Sequence, residues 1–337
     1  MMFIKRFLIL IYFFLLLLPL SSGAFTLGVN IRVFNSNKEA IKENLDIIKS
    51  LNIKSVRVDM PWKIVEKTKG QLVIPDNWDY FVDYANSIGL NVLCILDYGN
   101  QFYDHGDKPR SKEAISGFVN YINFLTSHYR EKIKYYQVWN EWNGKVGNTT
   151  PGTVDEYKNI VRSAYPVIKS NAPQSIVITG SFSSAAFNKA IGIENRGDYL
   201  RDYLTPDMAN FTDAIAVHPY TTYRKYPFDQ YSYYLRQIRY AYNLVKENPY
   251  FKSKQVFITE IGWSTSISPF SVSLLSQSKL LNESLCDARK AGYAGVFVYK
   301  FNDSKSFSNE TEDGFGILYD NLRKKPAANM IGNLQCN

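Results

Sequence analysis

The amino-acid sequence predicts a single α/β domain of the (β/α)8 TIM barrel class. Two observations lead to this prediction: eight short apolar runs recur along the chain, and amphipathic helical patterns lie between them. Apolar strands that alternate with amphipathic helices are typical of a parallel sheet whose outer face is covered by the helices. Eight such units close into a barrel.

Each predicted strand is rich in β-branched, leucine or aromatic residues and is only a few residues long. The predicted helix at 38–51 places Ile41, Leu45 and Ile48 on one face, and residues 113–129 show the same helical spacing. The eight predicted strands are 27–31, 55–59, 92–97, 135–140, 176–179, 214–218, 256–260 and 295–299.

The first 24 residues have the pattern of a secretory signal peptide. Lys5 and Arg6 precede an apolar stretch at 7–20, and small residues follow up to Ala24. This pattern predicts cleavage near Ala24. An uncleaved anchor is the alternative, but the stretch is shorter than the roughly 20 residues that span a bilayer. We therefore expect a signal peptide at 1–24, one barrel domain at 25–337, no stable membrane anchor, and a secreted or periplasmic protein.

The charge pattern argues against nucleic acid as a partner. The formal net charge is +8, but the basic residues are scattered and form no Lys/Arg-rich run. A basic exported protein is suited to an anionic glycan or a cell surface. We expect a monomer that binds a carbohydrate.

The three cysteines and three histidines match no metal-binding spacing, so the sequence predicts no metal site and no cofactor. Cys94 lies within the apolar run 92–96 and is expected to be a buried free thiol. In a barrel, the helix that carries Cys286 neighbours the final helix, whose end carries Cys336. We expect these two to form a disulfide, which export permits, although proximity alone does not supply the narrow geometry of a bridge.

Two glutamates lie beside tryptophans at the ends of predicted strands. Glu141 stands between Trp139–Asn140 and Trp142, and Glu260 precedes Trp263 by three positions. The carboxyl ends of barrel strands converge at one mouth, where the active sites of this fold are built. Two carboxyl groups at one mouth indicate glycoside hydrolysis.

Other polar residues also end the predicted strands. A strand end that served packing alone would not need so many. They are Arg57, Asp59, Asp97, Asn140, His218, Tyr220, Tyr299, Asn302 and Asp303.

These motifs resemble those of the clan A glycoside hydrolases. Members carry an acid/base glutamate after an asparagine at the end of the fourth strand, and a nucleophilic glutamate at the end of the seventh. Asn140, Glu141 and Glu260 match these positions. Arg57 resembles the arginine of the clan's second strand, and His218 opens a segment similar to its sixth-strand His-x-Tyr motif.

Within the clan, the chain looks most like the bacterial family 39 endoglycosidases and the family 5 cellulase-like proteins. It departs from both. Family 5 enzymes usually carry a histidine on the third strand and a tryptophan on the eighth, where this chain has Asp97–Tyr98 and Tyr299. Family 39 exo-enzymes usually bring a β-sandwich domain, for which this chain has no length.

The resemblance implies a retaining β-glycosidase that hydrolyses O-glycosidic bonds of an oligo- or polysaccharide by double displacement. Glu141 would be the acid/base and Glu260 the nucleophile, with their carboxyl groups about 5–5.5 Å apart. A transglycosylase that uses the same residues and a non-catalytic glycan-binding barrel are the alternatives. The substrate-binding residues expected on this basis are Arg57, Trp62, Asn140, His218, Tyr220, Trp263 and Tyr299.

Overall fold

Eight parallel strands form a closed barrel in chain order, which confirms the predicted fold class. The computed structural model describes residues 25–193, 197–304 and 310–336, so the predicted signal peptide at 1–24 lies outside the described residues. The strands are β1 Thr26–Asn30, β2 Ser55–Asp59, β3 Asn91–Leu96, β4 Tyr135–Val138, β5 Ile176–Ser183, β6 Ala214–His218, β7 Gln255–Ile261 and β8 Gly295–Val298.

Helices connect the strands and cover the outside of the barrel. The predicted apolar face of the first helix is buried through Ile41, Leu45 and Ile48. Among the described helices, none combines the length and the apolar character that crossing a membrane requires. The helices are α1 Lys38–Ser50, α2 Trp62–Val65, α3 Asp76–Ser87, α4 Lys112–Tyr129, α5 Val154–Asn171, α6 Tyr199–Tyr203, α7 Tyr231–Glu247, α8 Leu274–Lys290, α9 Glu310–Asp313 and α10 Pro326–Gly332.

The inside of the barrel is filled by one face of the strands. Leu93, Ile95, Phe257 and Phe297 belong to an apolar cluster separate from the larger one between the sheet and the helices. Gly28 makes room for this packing, because a Cβ there would lie 2.2 Å from the Phe297 ring. Successive inward positions are two residues apart, so polar residues further along the same faces reach the mouth.

Two strands end two or more residues from the position that the sequence predicted. The fourth was predicted to continue to residue 140 but ends at Val138, because Trp139 has a positive φ of 66° and leaves the extended conformation. The fifth was predicted to end at residue 179 but continues to Ser183, because its last residues pair with β6 beyond an irregularity between Gly180 and Phe182.

The cysteine predictions are confirmed. Cys286 and Cys336 form a disulfide between α8 and the segment that follows α10, and Cys94 is a buried free thiol in β3. The carboxyl end of each outer helix leads into the amino end of the next strand. The bridge, near the carboxyl end of α8, therefore lies toward the end of the barrel opposite the mouth.

Candidate active site

A cleft of about 1330 Å³ opens at the carboxyl ends of the strands. Eight of the residues that the sequence singled out at strand ends line it, together with residues from the loops around the mouth. These eight are Arg57, Asp59, Asn140, Glu141, Tyr220, Glu260, Tyr299 and Asn302.

Glu141 is presented by a sharp change of backbone direction after β4. Both Trp139 and Glu141 have positive φ, 66° and 49°, a conformation uncommon for residues other than glycine. Backbone hydrogen bonds hold this turn. The N–H of Trp139 donates to Leu96 O over 3.0 Å, and the N–H of Glu141 donates to Ser181 O over 3.1 Å. The turn is thus fixed by both neighbouring strands, β3 and β5.

The loop after Glu141 is fastened by a buried lysine. The ammonium of Lys108 donates to Gly144 O over 3.0 Å and to the hydroxyl of Thr149. It also lies over the rings of Trp139 and Trp142, at 6.0 and 5.7 Å from their centroids. Burial lowers the pKa of Lys108 to about 8. One cation therefore holds the loop against the two tryptophans that flank Glu141.

Glu141 is in contact with His218. Nδ1 of His218 lies 2.9 Å from Oε1 of Glu141, and Nε2 lies 2.9 Å from the hydroxyl of Thr259. Burial raises the pKa of Glu141 above its ordinary value, and the contact with His218 opposes this in part. A buried carboxyl with a raised pKa keeps its proton nearer to neutral pH.

Glu260 has the opposite surroundings. Its Oε1 lies 2.7 Å from Nη1 of Arg57, and its Oε2 accepts a hydrogen bond from the hydroxyl of Tyr220 over 3.1 Å. Burial alone would raise the pKa of Glu260, but Arg57, His218 and Tyr220 outweigh it and lower the pKa below the ordinary value. This carboxylate therefore stays ionised.

The two glutamates face each other across a short gap. One oxygen of Glu141, one oxygen of Glu260 and a ring nitrogen of His218 all lie within 4.8 Å of one another. This oxygen–oxygen distance is short beside the separation of about 6.5–9.5 Å between the carboxyl groups of inverting glycosidases.

The same three groups are close enough to be considered as metal ligands. In the described part of the chain, however, their atoms already have partners: His218 contacts Glu141, while Glu260 is engaged by Arg57 and Tyr220. The arrangement is that of two carboxyl groups with separate hydrogen-bond partners, one of which is also paired with an arginine.

Arg57 also connects the site to the first strand directly and to the residue after the third strand through Asn140. Its guanidinium donates to Oδ1 of Asn30 and to Oδ1 of Asn140, the latter over 2.9 Å, and Nδ2 of Asn140 donates to the hydroxyl of Tyr98 over 2.9 Å. Asn30 and Tyr98 were not predicted as site residues. Asn30 ends β1 and Tyr98 follows β3, so the rule applied to the other strand ends could have found both.

Three of the expected substrate-binding residues do not line the cleft. Trp62 is 1% exposed, and its ring stacks on Tyr103 at 4.7 Å. Trp263 is 4% exposed and packs against Tyr234. Both rings fill the core beside outer helices, Trp62 beside α4 and Trp263 beside α7. His218 is fully buried, with Nδ1 at 2.9 Å from Glu141 and at 3.9 Å from Glu260.

Tyr220 and Tyr299 do line the cleft, and their rings meet edge to face at 6.4 Å. Asp59 and Asn302 also line it. Asp303 forms an ion pair with the buried Lys325 over 2.8 Å and does not line the cleft.

Asp97 is completely buried and also lies away from the cleft. Burial raises its pKa well above the ordinary value. Burial thus favours the protonated form of this carboxyl group.

The comparison with protein families decides the classification. The sequence profile of the Cellulase (glycosyl hydrolase family 5) family matches residues 22–287, well over half of the chain. The chain belongs to glycosyl hydrolase family 5. The resemblance to clan A glycoside hydrolases is thereby confirmed, and the protein is a glycoside hydrolase by family. No curated protein sequence gives a significant match.

Solved structures of similar fold come from this family and from family 39. A family 39 glycoside hydrolase from Bacteroides cellulosilyticus is 20% identical with a TM-score of 0.75, over 93% of this chain and 64% of that chain. This chain thus spans less than two thirds of that protein. A family 5 subfamily 18 variant from Streptomyces cattleya, in complex with Manβ1-4GlcNAc, is 17% identical with a TM-score of 0.74, over 92% and 80% of the chains. An endo-β-1,4-mannanase from Thermotoga petrophila is 16% identical with a TM-score of 0.69, over 93% and 76%.

Proposed function

We propose that this family 5 protein is a retaining β-glycosidase that hydrolyses a β-linked oligo- or polysaccharide. The observation that carries the proposal is the pair Glu141 and Glu260, which approach within 4.8 Å and have pKa values shifted in opposite directions. Two carboxyl groups driven apart in pKa by their surroundings can act as acid and nucleophile on one bond. The β-1,4-mannanase and β-1,4-mannosidase among the similar structures support a β-linked substrate.

In the first step, an oxygen of Glu260 attacks the anomeric carbon. The bond from this carbon to the bridging oxygen breaks, and Glu141 gives its proton to that oxygen, so that the leaving sugar departs as an alcohol. The lowered pKa keeps Glu260 ionised for attack, while the raised pKa keeps Glu141 protonated for donation. Asn140, held by Arg57 and Tyr98, is placed to bind the sugar's 2-hydroxyl.

In the second step, Glu141 is ionised and takes a proton from water. The water oxygen attacks the anomeric carbon and the bond to Glu260 breaks, which restores both carboxyl groups. Two inversions leave the β configuration unchanged. An acceptor sugar that replaced water would give transglycosylation on the same residues.

We also propose that residues 1–24 are a secretory signal peptide and that the mature protein is secreted or periplasmic. The Cys286–Cys336 disulfide supports this, because such bridges persist in oxidising compartments. Amino-terminal sequencing of the exported protein tests it, and a mature chain that still began at Met1 would contradict it.

The activity is tested with β-glucans, xylans, mannans and bacterial exopolysaccharides, by proton NMR of the first product formed. We expect a β-configured product from the wild type and from Glu247→Gln, which changes an exposed glutamate at the end of α7. Glu260→Gln should be inactive. An α-configured first product would overturn retention, and addition of an acceptor sugar shows whether water or a sugar receives the glycosyl group.

A further inference from the structure

The cleft carries more positive than negative side chains. Among the described residues that line it, six are cationic: Arg32, Arg57, Lys63, Arg224, Lys225 and Lys300. Arg57 is neutralised by Glu260, with which it forms an ion pair over 2.7 Å, and the resting Glu141 holds a proton in the proposed mechanism. Five cations then remain without a role in the catalytic chemistry.

Three of these cations stand on one wall. Arg32 follows β1, Lys63 follows β2 and Lys300 follows β8, and β1 is hydrogen-bonded to both of the other strands. Burial lowers the pKa of Lys300 to about 8, and the nearby charge of Arg32 contributes to the lowering. Lys63 is exposed at the surface of the cleft. Like charges held close together cost free energy, which a bound anion would offset.

The acidic groups on this wall offset the charge only in part. Glu312 is engaged by two tyrosines, since its oxygens accept from the hydroxyls of Tyr223 and of Tyr299. Asp59 has a pKa raised mainly by burial, although Arg57 opposes this. The ammonium of Lys300 also donates to the hydroxyl of Ser304 and to Glu312 O. Counted over all the described residues that line the cleft, six cationic side chains still face only four acidic ones.

The opposite side of the catalytic pair also carries cations. Arg224 and Lys225 follow β6 and line the cleft. The guanidinium of Arg224 donates to Ser184 O over 3.1 Å and to Oδ1 of Asn188 over 3.3 Å, which fixes its position. A glycan that crosses the site would therefore meet positive charge on both sides of the bond that is cut.

We propose that the substrate is an acidic β-glycan, whose negatively charged groups bind the wall formed by Arg32, Lys63 and Lys300. The anion is a sugar carboxylate or a sulfate ester, and both would make charge-assisted hydrogen bonds to these side chains. This inference rests on the glycosidase function proposed above and names its substrate class. A cleft lined by one sign of charge raises the local concentration of an oppositely charged ligand.

The test uses glycans in matched pairs that differ only in charge. β-1,4-Mannuronate oligosaccharides are compared with their carboxyl-reduced counterparts, and a sulfated β-glycan is compared with its desulfated form. Cleavage is measured with the wild type, and binding with the inactive Glu260→Gln protein by calorimetry. We expect at least one acidic member to be preferred about tenfold, the worth of one charge-assisted contact. The pair that shows the preference identifies the anion. Added NaCl should weaken the preference, because salt screens the charges.

The variants Arg32→Gln and Lys63→Gln connect the preference to the wall. Each should reduce the ratio of acidic to neutral kcat/KM, or the corresponding ratio of affinities. Lys290→Gln, an exposed lysine at the end of α8, is the matched control and should leave the ratio unchanged.

The outcomes separate this inference from the proposed function. If neutral glycans were cleaved as fast as acidic ones, the proposed acidic substrate class would be wrong, but the proposed glycosidase function would stand. If acidic glycans bound selectively but no glycan was cleaved, the proposed glycosidase function would be wrong, while the proposed anion-binding role of Arg32, Lys63 and Lys300 would be supported. A preference that survives both wall variants, or no selective binding in any pair, would overturn the inference.

Discussion

Arg57 and Glu260 form an ion pair at the barrel mouth, with 2.7 Å between Nη1 and Oε1 and side chains only 3% and 10% exposed. The cation belongs to β2 and the anion to β7, so closure of the barrel brings them together. At such low exposure each charge depends on the other, because neither is well solvated. This pair is the physical origin of the difference between the two glutamates.

Removal of the arginine should change the acidic limb of the pH profile. Arg57 lowers the pKa of Glu260, so Arg57→Met should raise that pKa and move the acidic limb of kcat/KM to higher pH. We expect kcat/KM to fall by about a hundredfold or more, as for loss of one preorganised charge interaction. Arg57→Lys keeps a positive charge, so its kcat/KM and its acidic limb should lie between those of the wild type and those of Arg57→Met. An unmoved acidic limb in Arg57→Met would argue against Glu260 as the group that must be ionised.

Azide should separate the roles of the two glutamates. With an aryl β-glycoside whose leaving group needs no proton, Glu141→Ala should form the glycosyl-enzyme and then stall, because no base remains to activate water. Azide needs no base, so it should restore turnover and give a β-glycosyl azide, identified by NMR.

Glu260→Ala should behave differently in the same assay. It cannot form the intermediate, and azide would enter from the vacated face and give the α-glycosyl azide. Swapped stereochemical outcomes would reverse the two assignments. Wild-type activity in both variants would favour a glycan-binding barrel instead.

His218 should position Glu141 and set the basic limb of the profile. Its contact lowers the pKa of Glu141, so His218→Ala should raise that pKa and move the basic limb to higher pH, where the proton donor is otherwise lost. We expect kcat/KM to fall about tenfold from lost orientation, with partial recovery in His218→Gln. His128→Gln changes an exposed histidine and is the control. An unchanged basic limb would show that His218 only fills space.

The disulfide should matter for stability and not for catalysis. Cys286 and Cys336 are separated by 50 positions in sequence, and a loop of this length gives about 4 kcal/mol by the chain-entropy estimate. The Cys286→Ser/Cys336→Ser double variant should unfold at lower urea concentration, with kcat/KM unchanged at 25 °C. Reductant should lower the urea concentration at the midpoint of unfolding for the wild type, and it should not change that midpoint for the double variant. A midpoint equal to wild type would show that the bridge adds nothing to stability.

Local sequence patterns were sufficient to predict the barrel. Strands such as Ser55–Asp59 and Ala214–His218 have the limits that their apolar runs indicated, because a fully buried parallel strand must be apolar on both faces. The end of β4 could not be predicted from its apolar run. Its positive-φ turn depends on hydrogen bonds from Trp139 to Leu96 and from Glu141 to Ser181, which are distant in sequence.

The sequence by itself determined the eight-unit barrel and the residue types at its mouth, including Glu141 and Glu260, since apolar runs and the polar residues that follow them are local properties. Tertiary structure alone decided which aromatic residues face the cleft and which fill the core. Trp62 and Tyr299 have equally suitable rings, yet Trp62 is buried against α4 while Tyr299 lines the cleft. The reason is that burial of a side chain depends on the elements packed around it, and those elements come from other parts of the chain.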